Sequence, residues 1–464
     1  MLIRNGLIVT AERRFEADIR IRGQKIVEVG PHLPRSDDGP EVEARGLLVL
    51  PGGIDPHVHL TAPPSVPPPQ RWVDDFASGS RAALAGGITT LGGVCFSEPG
   101  ETLLAALRRE MEVVRGQAIA DFVLHPTLTP PIEPALDELP QLLAAGHSTI
   151  KVFMSTEEFD AHAAAYLAAL RAAGEVGLLT MIHCEDAAIV SSMPQVLLAA
   201  GRASLRHYAE SRPAVAEVAA TQRAVAMAEV ASAAIYVVHL SNERSLRICE
   251  EAQARGLPVY VETRPLFLHL TRERYLGPDG ALFVVMPPLR EAHDVAALWE
   301  GLGRGTIHTV ASDHAARTRE QRLDPSLNVA QLCPGINGLQ VMLPMLHSEG
   351  VLQGRISLEQ FVALTSTNAA RVFGLYPRKG AIAVGSDADL VLWDPQERRV
   401  VQGQDLFSRA GFSVFEGVEV TGWPRLTIRR GRVVYREGRI LARPGSGTFV
   451  PSVAQHRPSP RALG

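Results

Sequence analysis

The middle of the chain alternates short apolar runs with long alanine-rich stretches, and this alternation constrains the fold more than any other feature. Eight of the runs predict β-strands, at residues 53–59, 87–94, 121–128, 149–154, 178–184, 234–240, 259–263 and 309–313. The stretches between them predict helices, for example at residues 76–85, 102–114, 161–176, 214–230 and 243–254. Eight successive βα units are what a closed parallel barrel needs, so the predicted fold is α/β, a (β/α)8 TIM-type barrel.

The two ends of the chain have a different pattern, with short alternating strands broken by turns such as Arg22-Gly23. We expect residues 1–52 and 381–440 to pair into one small β-sandwich domain. The barrel then takes residues 53–380, and residues 441–464 form an extended C-terminal tail. A proline-rich stretch at 62–70 predicts a stiff loop over the mouth of the barrel.

Composition excludes several classes of protein. The formal net charge is −4 and no basic tract is present, which argues against a nucleic-acid partner or a membrane surface. No stretch approaches the roughly 20 uncharged apolar residues of a membrane helix, and the N-terminus lacks the apolar core of a signal peptide. The cysteines are not closely spaced, which fits a soluble protein of the reducing cytoplasm. They are Cys95, Cys184, Cys249 and Cys333.

The strongest local motif is Asp55-Pro-His57-Val-His59, at the end of the first predicted barrel strand. Residues two apart in a strand point to the same face, so His57 and His59 can hold one metal ion together. An isolated motif of this kind also fits two histidines that bind no metal. Further metal-binding residues at the ends of other predicted strands would favour the metal site.

Four more predicted strands end in a residue that can bind a metal: Lys151 in TIKVFM, His183 in LLTMIHCED, His239 in IYVVHLS and Asp313 in TVASDH. Each alone has a structural alternative, because a buried histidine can be a core residue and an aspartate can cap a helix. The C-terminal ends of barrel strands meet at one face. Buried polar groups are costly there without a partner such as a metal, so the set predicts a metal centre.

The motifs HVH, IKVFM, IHCED, VVHLS and ASDH, in this order, resemble the cyclic amidohydrolases: hydantoinase, dihydropyrimidinase, allantoinase and dihydroorotase. The resemblance covers nearly the whole chain. It includes DDFASGSRAALAGGITT, the PPLR run at 287–290 and FGLYPRKGAIAVGSDADLVLWDP, which look most like the hydantoinase and dihydropyrimidinase branch. The resemblance implies a hydrolase that opens a cyclic amide, such as a hydantoin or dihydropyrimidine, and that assembles as a homotetramer.

The resemblance also implies a centre of two divalent ions. Its ligands would be His57, His59 and Asp313 on the first metal, His183 and His239 on the second, and Lys151 between them. Lys151 would carry a carboxyl group on its amine, because a free ammonium has no acceptor for a metal. Nitrogen and oxygen ligands of this mixture suit Zn²⁺, although manganese or cobalt also fits.

The implied mechanism uses a hydroxide that bridges the two metals and attacks the ring carbonyl. Asp313 would take the proton of the water and deliver it to the leaving nitrogen. His125, at the end of the third predicted strand, and His314 could hydrogen-bond a metal ligand and so fix its orientation. A purely structural role for these two histidines remains open.

Two of three positions that contact substrate in the resembled branch differ here. Thr156 stands where a tyrosine is usual, and Met286 stands where a serine is usual. Asn337, in CPGINGLQ, corresponds to a substrate-contacting asparagine in an alignment that also looks allantoinase-like. We therefore expect a preference for a bulkier or more apolar substrate than dihydrouracil. Leu60 and Thr61 follow the HVH motif where dihydroorotase has an arginine nearby, so dihydroorotase is disfavoured.

Two alternatives to this function remain open. One is an allantoinase-like or other cyclic ureide hydrolase, which a substrate panel separates from a hydantoinase. The other is a non-catalytic scaffold homologue, because some relatives of this fold have lost their metal ligands. All six implied ligand positions are present here, which argues against the scaffold.

Overall fold

The computed structural model describes residues 1–35, 39–63, 66–67, 70–98, 100–454 and 456. Four residues of the predicted proline-rich loop and nearly all of 455–464 in the predicted tail lie outside the described residues. The strands are β1 Leu2–Val9, β2 Arg14–Arg22, β3 Lys25–Gly30, β4 Glu41–Glu43, β5 Leu48–Pro51, β6 Gly53–Val58, β7 Ile88–Cys95, β8 Asp121–Pro126, β9 Thr149–Phe153, β10 Leu179–His183, β11 Ile235–Val237, β12 Val259–Thr263, β13 Thr309–Val310, β14 Leu390–Val400, β15 Glu419–Arg429, β16 Arg432–Arg436 and β17 Arg439–Ile440.

Strands β6 to β13 form the barrel, and they pair in parallel in chain order. Two groups, β6-β7-β8 and β9 to β13, have continuous pairing. A parallel bridge between Thr127 and Lys151 joins β8 to β9, and another between Val58 and His314 joins the first strand to the last. These two bridges close the ring, so the C-terminal ends of all eight strands share one face.

Helices follow the barrel strands. They are α1 Phe76–Ala85, α2 Leu103–Gln117, α3 Glu133–Leu136, α4 Leu139–Ala144, α5 Glu157–Ala161, α6 Ala163–Val176, α7 Ala187–Ala199, α8 Tyr208–Ser211, α9 Ala214–Ala231, α10 Glu243–Ala254, α11 Pro265–His269, α12 Ala292–Arg304, α13 Arg319–Arg322, α14 Met342–Leu346, α15 Leu358–Val362 and α16 Asn368–Val372. Side chains of Asp75, Thr102 and Asn242 accept backbone N–H groups at the starts of α1, α2 and α10. Among the described residues, none of the helices combines the length and apolar character that crossing a bilayer requires.

The N- and C-terminal segments build a second sheet of nine strands, in the order β17-β16-β15-β14-β5-β1-β2-β3, with β4 beside β1. Strand β14, from the C-terminal segment, pairs antiparallel with β5, from the N-terminal segment. One apolar cluster joins residues of both segments, such as Ile3, Ile19, Leu390 and Ile428. The sheet therefore encloses a core of its own beside the barrel.

An ionic cluster holds this sheet to the barrel. The amine of Lys379 lies 2.6 Å from Asp121 of β8, 2.5 Å from Asp389 and 3.1 Å from Asp387. Lys379 is 2% exposed, so the charges are paired in a dry environment. Removing Lys379 would leave the buried carboxylate of Asp389 without an ion-pair partner among the described residues.

The segment after β17 runs along the N-terminal ends of the barrel strands. Phe122 of β8 donates its N–H to Thr448 and accepts from Val450, and the N–H of Ser452 bonds the carbonyl of Gly146. Val450 is fully buried, in a cluster with Ile54 and Phe373. The described part of this segment is thus hydrogen-bonded to the end of the barrel opposite the C-terminal face.

Candidate metal centre

The first group of predicted ligands comes from the first and last barrel strands. His57 lies in β6, His59 follows it, and Asp313 follows β13. Nε2 of His59 lies 3.0 Å from Oδ1 of Asp313, and Nε2 of His57 lies 3.6 Å from the same oxygen. One ligand atom from each residue lies within 4.8 Å of the others. Asp313 has φ +46°, a left-handed conformation that non-glycine residues adopt only when their surroundings hold them.

The second group comes from the strands across the ring. The imidazole rings of His183 and His239 have centroids 4.6 Å apart, and His239 stacks on His57 at 5.6 Å. Nζ of Lys151 lies 3.4 Å from Nε2 of His57. The structure thus gathers all six predicted ligand residues on one face of the barrel.

Two observations show that these residues fit a metal centre. Nδ1 of His59 and Nδ1 of His239 are buried and have no hydrogen-bond partner among the described residues. Buried polar atoms rarely stay unpaired, and they cluster here at a set of nitrogen and oxygen donors. Lys151 is fully buried, and none of the described carboxylates lies within ion-pair distance of its amine.

The protonation states favour cation binding. Burial lowers the pKa of Lys151 to about 8. It also holds the pKa of His57 and of His239 well below the usual histidine value. Burial alone would raise the pKa of Asp313, but Arg264, His57 and His59 together outweigh it and hold that pKa well below its usual range. Neutral imidazoles and a carboxylate anion are the forms that bind a divalent ion.

Sequence reasoning missed Glu262, which lies at the centre of this group. Oε1 of Glu262 is 2.9 Å from Nδ1 of His57 and accepts the backbone N–H of His239, also at 2.9 Å. Its other oxygen accepts the Tyr236 hydroxyl. Burial raises the pKa of Glu262 to about 7. A glutamate inside the buried run VYVET of β12 was the signal that could have found it, because an unpaired charge is costly there.

A second missed group lies behind His183. Nε2 of His183 is 2.8 Å from Oε2 of Glu185, and the same carboxylate takes two nitrogen donors from Arg212, the nearest at 2.6 Å. Burial opposes the charge of Glu185, but Arg212 and His183 bring its pKa down to about 2. A carboxylate behind a ligand histidine fixes the orientation of its ring.

His125 and His314, the two histidines with open roles, support the backbone of the site. His125 lies between Thr149 Oγ1 at 2.7 Å and the carbonyl oxygen of Pro56 at 3.0 Å. His314 bonds Asp74 at 2.9 Å and accepts the N–H of Gly338. The His125 ring thus contacts segments next to the candidate ligands His57 and Lys151, whereas the His314 ring contacts Asp74 and Gly338.

A cavity of about 570 Å³ opens beside the centre, with mostly apolar walls. Phe96 and Phe153 line it, and their rings stack with centroids 6.0 Å apart. Phe96 also lies 6.0 Å from the ring of His59, and Phe153 lies 5.7 Å from that of His183. The two phenylalanines therefore form a wall that the cavity shares with the candidate ligands.

The three predicted substrate contacts lie in different places. Thr156 lines the cavity and caps α5, since its hydroxyl accepts the N–H of Phe159. Met286 is half-buried and Asn337 is buried, and neither lines the cavity. The amide nitrogen of Asn337 donates to the carbonyl of Phe412, while its Oδ1 is buried with no partner among the described residues.

Comparisons with known proteins agree with this geometry. The model of the amidohydrolase family matches residues 48–434. A D-phenylhydantoinase of Escherichia coli O1:K1 / APEC is 36% identical over 457 residues, which are 97% of this chain and 97% of that protein. The D-hydantoinase (dihydropyrimidinase) from Thermus sp. has a TM-score of 0.94 and 33% identity, covering 98% of this chain and 99% of its own.

The structure of a dihydropyrimidinase from Brevibacillus agri NCHU1002 has a TM-score of 0.92 and 35% identity, with 98% of this chain and 99% of that chain covered. Likeness of this extent confirms both the predicted α/β barrel and the resemblance inferred from the motifs. The chain therefore belongs to the amidohydrolase family, in its hydantoinase and dihydropyrimidinase branch.

Proposed function

We propose that this amidohydrolase opens the ring of 5-substituted hydantoins and prefers aryl or other large apolar substituents. The observation that carries the proposal is the position of the apolar cavity, which shares the wall of Phe96 and Phe153 with the candidate metal ligands. A ring held at the ligands can extend a substituent towards that cavity. Burial of a phenyl group in apolar surroundings favours binding by about 25 cal/mol per Å² of surface removed from water.

The general class of reaction follows from the family. Hydrolysis of a C–N bond in a cyclic amide, expected from the motifs, is confirmed by membership in the hydantoinase and dihydropyrimidinase branch. The allantoinase-like alternative and the scaffold alternative are not favoured. The name of the Escherichia coli relatives, D-phenylhydantoinase, supports an aryl substituent and a preference for the D-configured ring.

The proposed centre holds two divalent ions, of which Zn²⁺ best suits the nitrogen and oxygen donors. The residues that would hold them are His57, His59, Lys151, His183, His239 and Asp313. When bound, the ions polarise the ring carbonyl and make water acidic enough to attack it near neutral pH. Lys151 would serve as N6-carboxylysine, which the burial of its amine and the lack of a described carboxylate partner support.

Asp313 is the proposed proton carrier. Its Oδ1 faces the imidazoles of His57 and His59, where a water molecule and a substrate carbonyl can meet. In this position the carboxylate accepts the proton of the attacking water and returns it to the ring nitrogen as the C–N bond breaks. Glu262 keeps His57 in place throughout, because it bonds the Nδ1 side of that ring.

The substrate contacts adapt the site to a larger ring substituent. Thr156 offers a hydroxyl at the cavity, but its side chain is short and already accepts the N–H of Phe159. The space that a tyrosine would fill is therefore left to the substrate. Met286 adds an apolar side chain where the branch usually has a serine. The unpaired Oδ1 of Asn337 supports a contact with an N–H donor of the substrate.

We further propose a homotetramer in the cytoplasm. Helix α7 contains no charged residue, and its Val196 is 55% exposed. An uncharged exposed helix is suited to contact another copy of the chain. All four cysteines are buried and free, which supports a reducing compartment.

A side-by-side substrate panel tests the proposal on the metal-loaded enzyme. Its members are hydantoin, both enantiomers of 5-phenylhydantoin, dihydrouracil, allantoin and dihydroorotate. We expect kcat/KM for one enantiomer of 5-phenylhydantoin to exceed that for dihydrouracil by at least about tenfold, since one well-filled apolar pocket contributes that much discrimination. Higher kcat/KM for allantoin or dihydroorotate would overturn the proposed substrate class. Asp313→Asn with full metal content is the control for a contaminating hydrolase.

A further inference from the structure

Arg264 is a buried cation at the rim of the metal centre. Its side chain is 1% exposed, and Nη1 lies 2.9 Å from Oδ2 of Asp313. The same guanidinium donates from Nε to the carbonyl of Ser312 at 3.2 Å and from Nη2 to the carbonyl of Asp313 at 3.4 Å. All three nitrogens therefore contact the turn that carries one candidate ligand.

The position of Arg264 follows from strand geometry. Glu262 and Arg264 are two residues apart at the end of β12, so both side chains point into the barrel. Pro265 follows, and the residue before a proline favours extended backbone, which Arg264 has, with φ −121° and ψ 149°. The seventh barrel strand thus supplies no predicted ligand but directs one anion and one cation at the ligands of other strands.

The contacts of Arg264 give the two carboxylate oxygens of Asp313 different partners. Oδ2 is held by the guanidinium, while Oδ1 is left facing Nε2 of His59. The two carbonyl contacts hold the left-handed backbone of Asp313, which positions the carboxylate. A carboxylate without this support could rotate or move away from the two histidines.

We propose that Arg264 is a positioning residue for the reaction, which fixes Asp313 so that Oδ1 alone faces the first metal position and the substrate. The part of the proposal that concerns turnover rests on the proposed ring-opening reaction, whereas the part that concerns metal binding rests only on the proposed two-ion centre. A plain structural role predicts only loss of stability when Arg264 is replaced, whereas positioning predicts a selective loss at one metal and in kcat.

The test compares Arg264→Ala and Arg264→Lys with wild type after loading with Zn²⁺ or Co²⁺. We expect Arg264→Ala to retain close to one ion per chain instead of two, and to change the visible spectrum of the Co²⁺ form. We expect kcat on 5-phenylhydantoin to fall about 10- to 100-fold, because a misplaced catalytic group costs that much, with KM changed less than about threefold. Arg264→Lys keeps the charge but not the three contacts, so it should recover only part of the loss. Added guanidinium should restore part of the activity of Arg264→Ala.

Arg322 provides a matched control. It is 1% exposed and donates to the backbone carbonyls of Leu282, Val284 and Cys333, not to a candidate ligand. Arg322→Met should lower the melting temperature while each folded chain keeps two ions and its kcat. The proposal is overturned if Arg264→Ala keeps two ions, the wild-type spectrum and kcat, or if Arg322→Met shows the same losses. Failure of the wild type on every ring substrate would reject the proposed function, while ion count and spectrum still judge Arg264.

Discussion

The amine of Lys151 lies 3.4 Å from Nε2 of His57, and its charge also acts on His183 and His239 of the other group of candidate ligands. It is buried without a carboxylate partner among the described residues, which is an unusual place for a lysine. A carboxyl group on this amine would replace a positive charge, which repels a metal ion, with oxygen atoms that can bind one.

Lys151→Ala should lose most of the bound metal, because Lys151 is the proposed ligand shared by both ions. A short carboxylic acid such as acetate or propionate should restore part of the activity by filling the gap. Metal content by mass spectrometry and the rate with and without the acid measure both effects. Unchanged metal content and rate in Lys151→Ala would exclude the bridging role.

Asp313→Asn should lose turnover by about 10²- to 10⁴-fold, the usual contribution of general acid–base catalysis. An amide can keep the contact with Arg264 but cannot carry a proton. Metal content must be measured on the same sample, since Asp313 is also a candidate ligand. Turnover near that of wild type with both ions present would remove Asp313 from the proton path.

Glu262→Gln should weaken metal binding or activity by about 10- to 100-fold, which is typical for a group that orients a metal-binding histidine. The amide removes the anion between Nδ1 of His57 and the N–H of His239. Tyr236→Phe is the matched variant, because it removes one bond to Glu262 and leaves both histidine contacts in place. A larger effect of Tyr236→Phe would assign the role to the tyrosine instead.

Thr156→Tyr should shift preference towards small rings. A phenol can fill part of the cavity and donate to a developing oxyanion, and one such donor contributes about 10²- to 10³-fold in rate. We expect the ratio of kcat/KM for dihydrouracil to that for 5-phenylhydantoin to rise at least about tenfold. Thr156→Ser keeps the helix cap and serves as the control. The idea fails if wild type already handles dihydrouracil efficiently and Thr156→Tyr changes nothing.

Acid should weaken the junction between the sheet and the barrel. Burial opposes the charge of Asp387, but Lys379, Lys25 and Arg378 bring its pKa from 3.8 to about 2. A depressed carboxylate pKa stabilises the fold above the unfolded value and loses that contribution as pH falls towards the folded value. The contribution is on the order of 2 kcal/mol. The melting temperatures of wild type and Asp387→Asn should therefore differ at pH 7 and converge between about pH 5 and pH 2. A constant difference across that range would contradict the assignment.

Much of the architecture could be predicted from the sequence, because helices and strands depend on local residue patterns. Helices α1 and α10 occupy the predicted residues, and Thr102, predicted as the first residue of a helix, instead caps α2. Predicted barrel strands were often too long: residues 309–313 contain only Thr309–Val310 as strand. Three residues after the strand, Asp313 has a left-handed conformation, which no periodicity reveals.

The candidate ligands could be predicted because strand ends converge in any such barrel. The groups that hold them could not be predicted, because their partners are distant in the chain. Glu262 contacts His57, 205 residues away. Arg264 contacts Asp313 from the neighbouring strand, and the local sequence VETRP does not indicate this contact. The roles of the ligands, the substrate contacts and the boundaries of the two domains remain predictions.

The segment around Val450 packs into the N-terminal end of the barrel. Val450 packs in the cluster that fills the lower barrel, together with Tyr236, whose hydroxyl bonds the buried carboxylate of Glu262. The segment around Val450 thus fills the N-terminal end of the barrel, opposite the candidate ligands. The candidate ligands lie at the C-terminal ends of the strands, so the segments that cover this face govern how much water reaches them. Shortening the chain before Val450 would remove a fully buried side chain from this cluster and weaken the packing around Tyr236, which bonds the carboxylate that holds His57.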